Sequence, residues 1–227
     1  MAKRKINFSH CSDITKKILR IGDSQGVDRA FTTFIELMAT ALAKDADSVN
    51  GNERRNRYQE INDGLSADIR KEYLELCELV KQTFAENADE PRDILGEVFH
   101  ELNLQNEWNG QFFTPNDVAR LMAMLVNPTS FDEENGIASI EEPTCGSGTM
   151  VIAAAWVMKV NCKDYSKKLL AIAQDIDIRC VWMAYIQLSL YNIPAVIRHG
   201  DSLADKVWAT WYTANYWKVA RGALCGN

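Results

Sequence analysis

The stretch that decides the fold is Glu142-Pro-Thr-Cys-Gly-Ser-Gly-Thr149, which stands between two segments of different character. Before it, Ala138-Ser-Ile-Glu-Glu-Pro contains a short run that could form a strand. After it, the residues from Ser147 to Val160 are apolar and rich in alanine, as expected of a buried helix. Two glycines at G-x-G spacing let the backbone turn tightly and approach a ligand closely. The stretch therefore predicts a strand, a bend and a helix in that order.

The same alternation continues downstream of this bend. Residues 169–174 form a second apolar run of strand length, residues 179–191 have the pattern of a helix, and residues 195–199 form a third short β-branched run. Strands that alternate with helices predict parallel strands with right-handed crossovers, and hence an α/β fold with a doubly wound, Rossmann-like sheet. Ligands bind such sheets beyond the carboxyl ends of the strands. The residues directly after each strand are therefore the candidates for a site.

Acidic residues follow the second and third predicted strands. Asp175 can accept hydrogen bonds from both hydroxyls of a ribose, and Asp177 is the candidate cap of the next helix. Asp201 could accept a hydrogen bond from an exocyclic amine such as adenine N6, with a helix cap as the alternative. The third glycine of the dinucleotide fingerprint is replaced by Val151, which disfavours a nicotinamide-dependent enzyme.

A further motif, Gly110-Gln-Phe-Phe-Thr-Pro115, lies upstream and precedes a helical run over residues 117–126. Thr114 and Pro115 have the residue types of a helix cap and of the first helical position. The alternative function is that Thr114 binds the carboxylate of an amino-acid-like ligand while a phenylalanine covers the ligand's ring.

Residues 1–108 predict a helical N-terminal domain, and residues 109–227 the α/β domain. Within the first, residues 30–43 have helical periodicity, Ser66 is a candidate N-cap, and Pro91 suits a first helical position. Arg54, Arg55 and Arg57 are flanked by acidic residues, so a solvated helix face is favoured over a phosphate-binding patch.

Composition limits the classes of protein to consider. The chain has 227 residues with a formal net charge of −6, whereas a free-standing nucleic-acid binder is usually basic. The six cysteines are scattered and form no C-x-x-C pair, which predicts reduced thiols in a cytoplasmic protein. The three histidines have no metal-binding spacing, and the longest apolar run, residues 150–158, is far too short to span a membrane.

Together, four motifs of this chain resemble those of the N6-adenine DNA methyltransferases, and most closely the modification subunit of type I restriction systems. Residues 110–115 resemble that family's G-Q-[FY]-[FY]-T-P, and residues 142–148 resemble its D/E-P-x-C-G-S/T-G. Gln174-Asp-Ile-Asp resembles the segment with the ribose-binding acid, which is usually glutamate in the family. Gly200-Asp-Ser-Leu resembles the strand end that contacts the cofactor's adenine. The resemblance covers residues 92–203.

This resemblance implies S-adenosylmethionine as the cofactor, adenine N6 in DNA as the methyl acceptor, and no metal. It implies that recognition of the target sequence comes from a separate specificity or partner chain. The cofactor-binding residues that it implies are Gln111, Phe112, Phe113, Thr114, Pro115, Glu142, Cys145, Gly146, Ser147, Gly148, Thr149, Asp175, Ile176 and Asp201.

The family's acceptor motif, [DNS]-P-P-[YFW], has no counterpart, because the five prolines include no consecutive pair. The catalytic residues therefore stay unassigned. Five aromatic residues between 208 and 217 instead favour a hydrophobic cover for a sheet edge, or a dimer surface. One alternative is a base-stacking platform with Asn215-Tyr216 as a degenerate acceptor motif, and another is a domain whose missing portion carries that motif. Two functions follow: a DNA methyltransferase or its cofactor-binding part, and a catalytically inactive protein that binds the cofactor and regulates or partners a true methylase.

Overall fold

The computed structural model describes residues 12–104, 114–126 and 136–225, with side chains up to residue 221. Helices account for the first two of these ranges. They are α1 (Asp13–Gln25), α2 (Val27–Ala46), α3 (Gly51–Asp63), α4 (Ala67–Glu86), α5 (Ile94–Glu101) and α6 (Asn116–Val126). The third range alternates strands and helices. It contains β1 (Ala138–Glu142), α7 (Thr149–Val160), α8 (Tyr165–Lys168), β2 (Leu169–Asp175), α9 (Ile178–Leu190), β3 (Ala195–Asp201), β4 (Lys206–Tyr212) and α10 (Tyr216–Cys225).

The four strands form one sheet in the order β1-β2-β3-β4. The first three strands are parallel and are joined through α7 and α9, whereas β4 pairs with β3 in the antiparallel direction. The α/β class with a preceding helical region is confirmed. The extra strand, β4, lies where the aromatic segment begins, so this part of the segment extends the sheet beyond β3. The interpretation of the segment as a hydrophobic cover or a dimer surface stays a prediction.

The helical region and the sheet share one hydrophobic core. Phe31 on α2 packs on Phe99 of α5 with ring centroids 5.5 Å apart, and both belong to a buried cluster that extends to Ala171 and Ile197 in the sheet. Phe84 at the end of α4 contacts Tyr191, which follows α9, at 4.7 Å between centroids. The helical region therefore packs against the α/β region, and the two share this buried cluster. The domain boundary near residue 108 stays a prediction.

Local predictions about helix ends have mixed outcomes. Ser66 caps α4 as predicted, because its hydroxyl accepts a hydrogen bond from the backbone N–H of Ile69. The prediction that Pro91 begins a helix is wrong. Helix α5 begins at Ile94 because the carboxylate of Asp93 accepts a hydrogen bond from the N–H of Gly96, at 2.7 Å, and so provides the cap.

The solvated helix face predicted for the three arginines of α3 holds for two of them. Arg55 and Arg57 are exposed and pair with acidic side chains. Arg54 is 7% exposed, and its guanidinium lies 3.7 Å from the ring centroid of Trp211 and donates to the carbonyl of Thr210. The prediction is wrong for Arg54 because β4, which is distant in sequence, covers it.

Across the three ranges that the structure describes, no helix has the length and apolar character needed to cross a membrane.

Candidate functional site

The carboxyl ends of β1, β2 and β3 bring the predicted bend and the first predicted acid into contact. Asp175 ends β2, and its Oδ2 accepts a hydrogen bond from the backbone N–H of Gly146 at 2.8 Å. Its Oδ1 accepts from the N–H of Asp177 at 2.9 Å. We call this surface the carboxyl edge and define it by Asp175, Ile176, His199, Asp201 and the bend at residues 142–148. The sequence predicted that both follow strands of the same sheet, whereas the hydrogen bond between them is a finding of the structure.

The bend itself has the backbone conformation that its glycines permit. Gly146 and Gly148 have φ angles of 53° and 97°, which L-residues with side chains adopt at a cost. The N–H of Gly148 donates to the carbonyl of Cys145, and the N–H of Cys145 donates to the carbonyl of Gln174, both at 2.8 Å. Helix α7 begins directly after Gly148. The bend is thus fixed to the end of β2 by its own backbone.

The side chains of Ser147 and Thr149 are directed into the protein, towards a residue that the sequence analysis missed. Asp93 is 3% exposed, and its carboxylate accepts hydrogen bonds from Ser147 Oγ, from Thr149 Oγ1 at 2.6 Å and from Gln187 Nε2 at 2.7 Å, besides the N–H of Gly96. Gln187 also donates to the carbonyl of Ser147 at 2.8 Å. We call these five residues the Asp93 junction.

The junction leaves no room for a larger residue at position 96. A Cβ atom at Gly96 would lie 2.6 Å from Ser147 Oγ and would overlap the Asp93 carboxylate. The sequence signal that could have identified this site is an acidic cap three residues before a glycine. Its partners could not have been identified in that way, because they lie 54, 56 and 94 residues further along the chain.

The segment that contains Thr114 and Pro115 is attached to the same junction. Asn116 accepts a hydrogen bond from the backbone N–H of Asp93 at 2.9 Å and donates to Glu97 Oε1 at 2.9 Å. Helix α6 begins at Asn116, one residue after the candidate first position Pro115 and one residue before the predicted run over residues 117–126. The carbonyl of Pro115 accepts its first helical hydrogen bond. Thr114 and Pro115 line a cleft between α5 and α6 of about 630 Å³. Gln111, Phe112 and Phe113 lie outside the described residues.

Asp201 and Glu142 both accept hydrogen bonds from nearby backbone. Asp201 Oδ1 accepts from the N–H groups of Leu203 and Ala204, both at 3.0 Å, which closes the turn after β3. Glu142 accepts from the N–H of Thr144 at 3.2 Å.

Asp177 caps α9 as predicted, because it accepts from the N–H of Arg179 at 2.9 Å. The alternative that Asp201 caps a helix is wrong, since a turn and β4 follow it.

The ionisation of two site residues is shifted mainly by burial. Burial raises the pKa of Asp175, although the N–H groups of Asp177 and Gly146 oppose this shift. Burial also raises the pKa of the Cys145 thiol well above its usual value, with the charge of Asp175 acting in the same direction. Cys145 is therefore a protonated, 5% exposed thiol that lines the bend and is not an activated nucleophile.

The residues at the carboxyl edge fit a nucleoside. A carboxylate has about four lone-pair positions, and Asp175 accepts from the N–H groups of Gly146 and Asp177, so it has capacity for a hydroxyl donor. Oδ2 of Asp201 makes no hydrogen bond to the described residues, and the exposed Ile176 side chain lies beside Asp175 in the chain. Residues 12–104, 114–126 and 136–225 contain no group of three or more histidine, cysteine or acidic side chains arranged to hold a metal ion.

The interpretation of Asn215-Tyr216 as a degenerate acceptor motif is wrong. Because β4 is antiparallel to β3, its end lies at the amino edge of the sheet, away from Asp175 and Asp201. Asn215 is 8% exposed and donates to the carbonyls of Ser166 and Asn192, which precede β2 and β3. The side-chain amide of Asn215 therefore connects the segments before β2 and β3 at the amino edge of the sheet.

Comparisons with solved structures find distant similarity. A protein from Listeria monocytogenes assigned as a class I S-adenosylmethionine-dependent methyltransferase is 14% identical, with 87% of this chain and 56% of that chain covered and a TM-score of 0.38. The methyltransferase subunit of a type I restriction-modification system from Streptococcus thermophilus is 13% identical, with 86% and 59% covered and a TM-score of 0.38. This chain therefore spans less than two thirds of the length of either protein.

Among curated proteins, no significant match is found. The family model described as N-6 DNA Methylase matches residues 90–217, which is more than half of the 227 residues and includes every described residue of the carboxyl edge and of the Asp93 junction. The resemblance inferred from the four motifs is confirmed at this level: the chain belongs to the N-6 DNA methylase family.

Proposed function

We propose that this protein is an S-adenosylmethionine-dependent DNA methyltransferase that acts on adenine N6 in a restriction-modification system, or the cofactor-binding part of one. The observation that carries the proposal is the carboxyl edge. There, two acids end adjacent parallel strands, and one of them, Asp175, is hydrogen-bonded to the glycine bend. Membership of the N-6 DNA methylase family supports the same conclusion.

The two acids have different roles in this proposal. Asp175 accepts hydrogen bonds from the ribose hydroxyls of the cofactor, and Asp201 accepts one from the adenine amine. The backbone of residues 145–149 passes close to the cofactor, with Glu142 before it and Ile176 against the adenine. Thr114 and Pro115, with Gln111, Phe112 and Phe113, hold the methionine portion.

When bound, the cofactor supplies an already activated methyl group, so the protein has to position rather than activate it. The Asp93 junction holds the glycine bend from the interior of the protein, because the hydroxyls of Ser147 and Thr149 donate hydrogen bonds to the Asp93 carboxylate. It fixes the Thr114 segment through Asn116. The two portions of the site are thereby held relative to each other before the cofactor arrives.

The DNA substrate requires contributions from outside the described site. With a net charge of −6, the chain is poorly suited to bind DNA alone, so we assign target recognition to a separate specificity or partner chain. Cys77, Cys145, Cys162 and Cys180 are reduced cysteines, as the proposed cytoplasmic location requires.

A second candidate function is a cofactor-binding protein without methyl transfer, which regulates or partners a true methylase. The specific observations in its favour are that the sequence has no consecutive prolines and that Asn215 is used at the amino edge. No described residue is thereby assigned to hold the amine of a target adenine.

Two measurements test the proposal and separate these candidates. Titration calorimetry with S-adenosylmethionine and with NAD should show binding of the first only, and binding of NAD instead would overturn the assignment of the site. Transfer of tritium from labelled cofactor to adenine-containing DNA is then measured with the protein alone and with a cell lysate, using Asp175→Ala as the negative control. Transfer that depends on intact Asp175 supports the methyltransferase. Cofactor binding without transfer under either condition supports the second candidate.

A further inference from the structure

An aromatic pair, formed by the exposed Trp208 and the half-buried His199, lies at the carboxyl edge, and the fold described above gives its rings no role. Trp208 on β4 is 53% exposed and forms a T-shaped pair with His199 on β3, with ring centroids 4.7 Å apart and an interplanar angle of 75°. Large aromatic side chains usually gain their stabilisation from burial. Two other apolar side chains of the same edge are also exposed, Ile176 at 62% and Leu203 at 102%.

Strand register places this pair between the two acids. His199 is the register partner of Asp175 on the neighbouring parallel strand, so the two side chains leave the sheet on the same face. Asp201 follows His199 by two residues at the end of the same strand. A nucleoside whose ribose contacts Asp175 and whose exocyclic amine contacts Asp201 therefore passes over His199.

Two local features fix the orientation of the pair. His199 Nε2 lies 3.2 Å from the carbonyl oxygen of Ile176, and because a carbonyl can only accept, Nε2 carries the proton. This bond joins β3 to the loop after Asp175. The register between β3 and β4 shifts at His199 and Gly200, so that Trp208 is the extra residue between the partners Val207 and Ala209. Such a bulge redirects a side chain away from the regular pleat.

Gly200 is the residue that makes the bulge sterically possible. A Cβ atom at this position would overlap the carbonyl oxygen of Lys206 and would lie 3.1 Å from the Cα of Val207. The close approach of β3 and β4 here thus depends on glycine. Trp208 is held at the carboxyl edge by backbone geometry rather than by burial of its ring.

We propose that Trp208 and His199 form an aromatic wall against which the purine ring of the bound nucleoside packs. The inference rests on the proposed function, because it assumes a nucleoside between Asp175 and Asp201. A π-face is available to a purine on the exposed tryptophan, and stacking of a base on an aromatic side chain stabilises binding substantially. Trp208 is thereby a specificity-determining residue for purine nucleosides.

The test uses the full chain with adenosine and with S-adenosylmethionine as probes, in calorimetry and tryptophan fluorescence. Trp208→Ala should weaken the binding of both probes by about tenfold, since the wall contacts only the part that they share. Trp208→Phe should restore affinity to within about threefold, because phenylalanine retains a stacking face. The matched control is Trp217→Phe, which changes a half-buried tryptophan that packs on Tyr212 at the amino edge.

Fluorescence provides a readout that a purely structural role of Trp208 would not change. Binding of adenosine should quench the emission of the wild-type protein and of Trp217→Phe, and the quenching should be lost in Trp208→Phe although calorimetry still shows binding. Wild-type affinity in Trp208→Ala, or full quenching in Trp208→Phe, overturns the aromatic wall while the proposed function stands. Failure of the wild-type protein to bind either probe overturns the proposed function, and the inference with it.

Discussion

Carboxylates occupy two neighbouring places in this molecule and are used differently in each. In the Asp93 junction, the carboxylate is buried and accepts four hydrogen bonds, from three side chains and one backbone N–H. At the carboxyl edge, the hydrogen bonds that Asp175 and Asp201 accept from the described residues come from nearby backbone, and both side chains are partly accessible and keep capacity for further donors. A saturated, buried acid holds the fold, whereas an acid with unused acceptor positions is available to a ligand.

The largest effect expected from this contrast is on stability at the junction. Asp93→Ala leaves several buried donors without an acceptor, and we expect the free energy of unfolding to fall by about 3–5 kcal/mol. Denaturant unfolding monitored by circular dichroism measures this loss. Asp201→Asn, at the carboxyl edge, should cost less than about 1 kcal/mol. Similar losses in the two variants would remove the distinction between junction and edge.

The next effect concerns the ligand rather than the fold. Asp175→Ala removes the acceptor proposed for the ribose hydroxyls, and because a hydrogen bond to a charged group contributes about 1.5–3 kcal/mol, affinity for S-adenosylmethionine should fall about 100-fold. Titration calorimetry measures the change. Asp177→Ala is the matched control, since that residue caps α9 and its loss should cost about 1 kcal/mol of stability with little effect on affinity. Unchanged binding in Asp175→Ala would refute the assignment.

A smaller effect is expected at Gly148, which connects the junction to the edge. Its φ of 97° disfavours any residue with a Cβ, so Gly148→Ala should reduce the free energy of unfolding by about 1–2 kcal/mol. The added Cβ would be in ordinary contact with Ala184, at 3.4 Å, so strain rather than overlap is the cause. Gly136→Ala is the control, because Gly136 also has positive φ, at 65°, and is outside the site. Thermal unfolding with and without cofactor should show weaker ligand stabilisation only for Gly148→Ala.

The smallest effect is a dependence on pH, which has opposite signs for the affinity for the ligand and for the free energy of unfolding. Burial raises the pKa of Asp175 above its ordinary value. Below that raised pKa the protonated acid has lost its charge and is a weaker acceptor for the ribose hydroxyls, so affinity should fall as pH decreases, by at most about tenfold per pH unit. A folded-state pKa above the unfolded value also means that protonation favours the folded state, so the contribution of Asp175 to stability increases over the same decrease in pH. Calorimetry and thermal unfolding between pH 7 and 5 measure both. Asp175→Asn should lose the pH dependence of affinity and the part of the stability dependence due to Asp175, whereas Glu97, whose pKa burial also raises, still contributes to the latter.

Features that depend on short stretches of sequence could be predicted, whereas features that depend on residues distant in the chain could not. The three parallel strands, the caps at Ser66 and Asp177 and the position of Asp175 beside the bend follow from short patterns of residues. Strand β4 was not predicted as a strand, because its aromatic residues show no clear alternation. The burial of Arg54 under β4 was not predictable from the acidic residues around it in the sequence.

The helical region is attached to the sheet at both margins. At the β1 side the attachment is the Asp93 junction, and at the β4 side Arg54 stacks on Trp211 and donates to Thr210. The two attachments involve different helices, α5 at one border and α3 at the other, so contacts with the helical region flank the strand ends on both sides. The strand ends are thus pre-organised, and little conformational entropy is lost there when a ligand arrives.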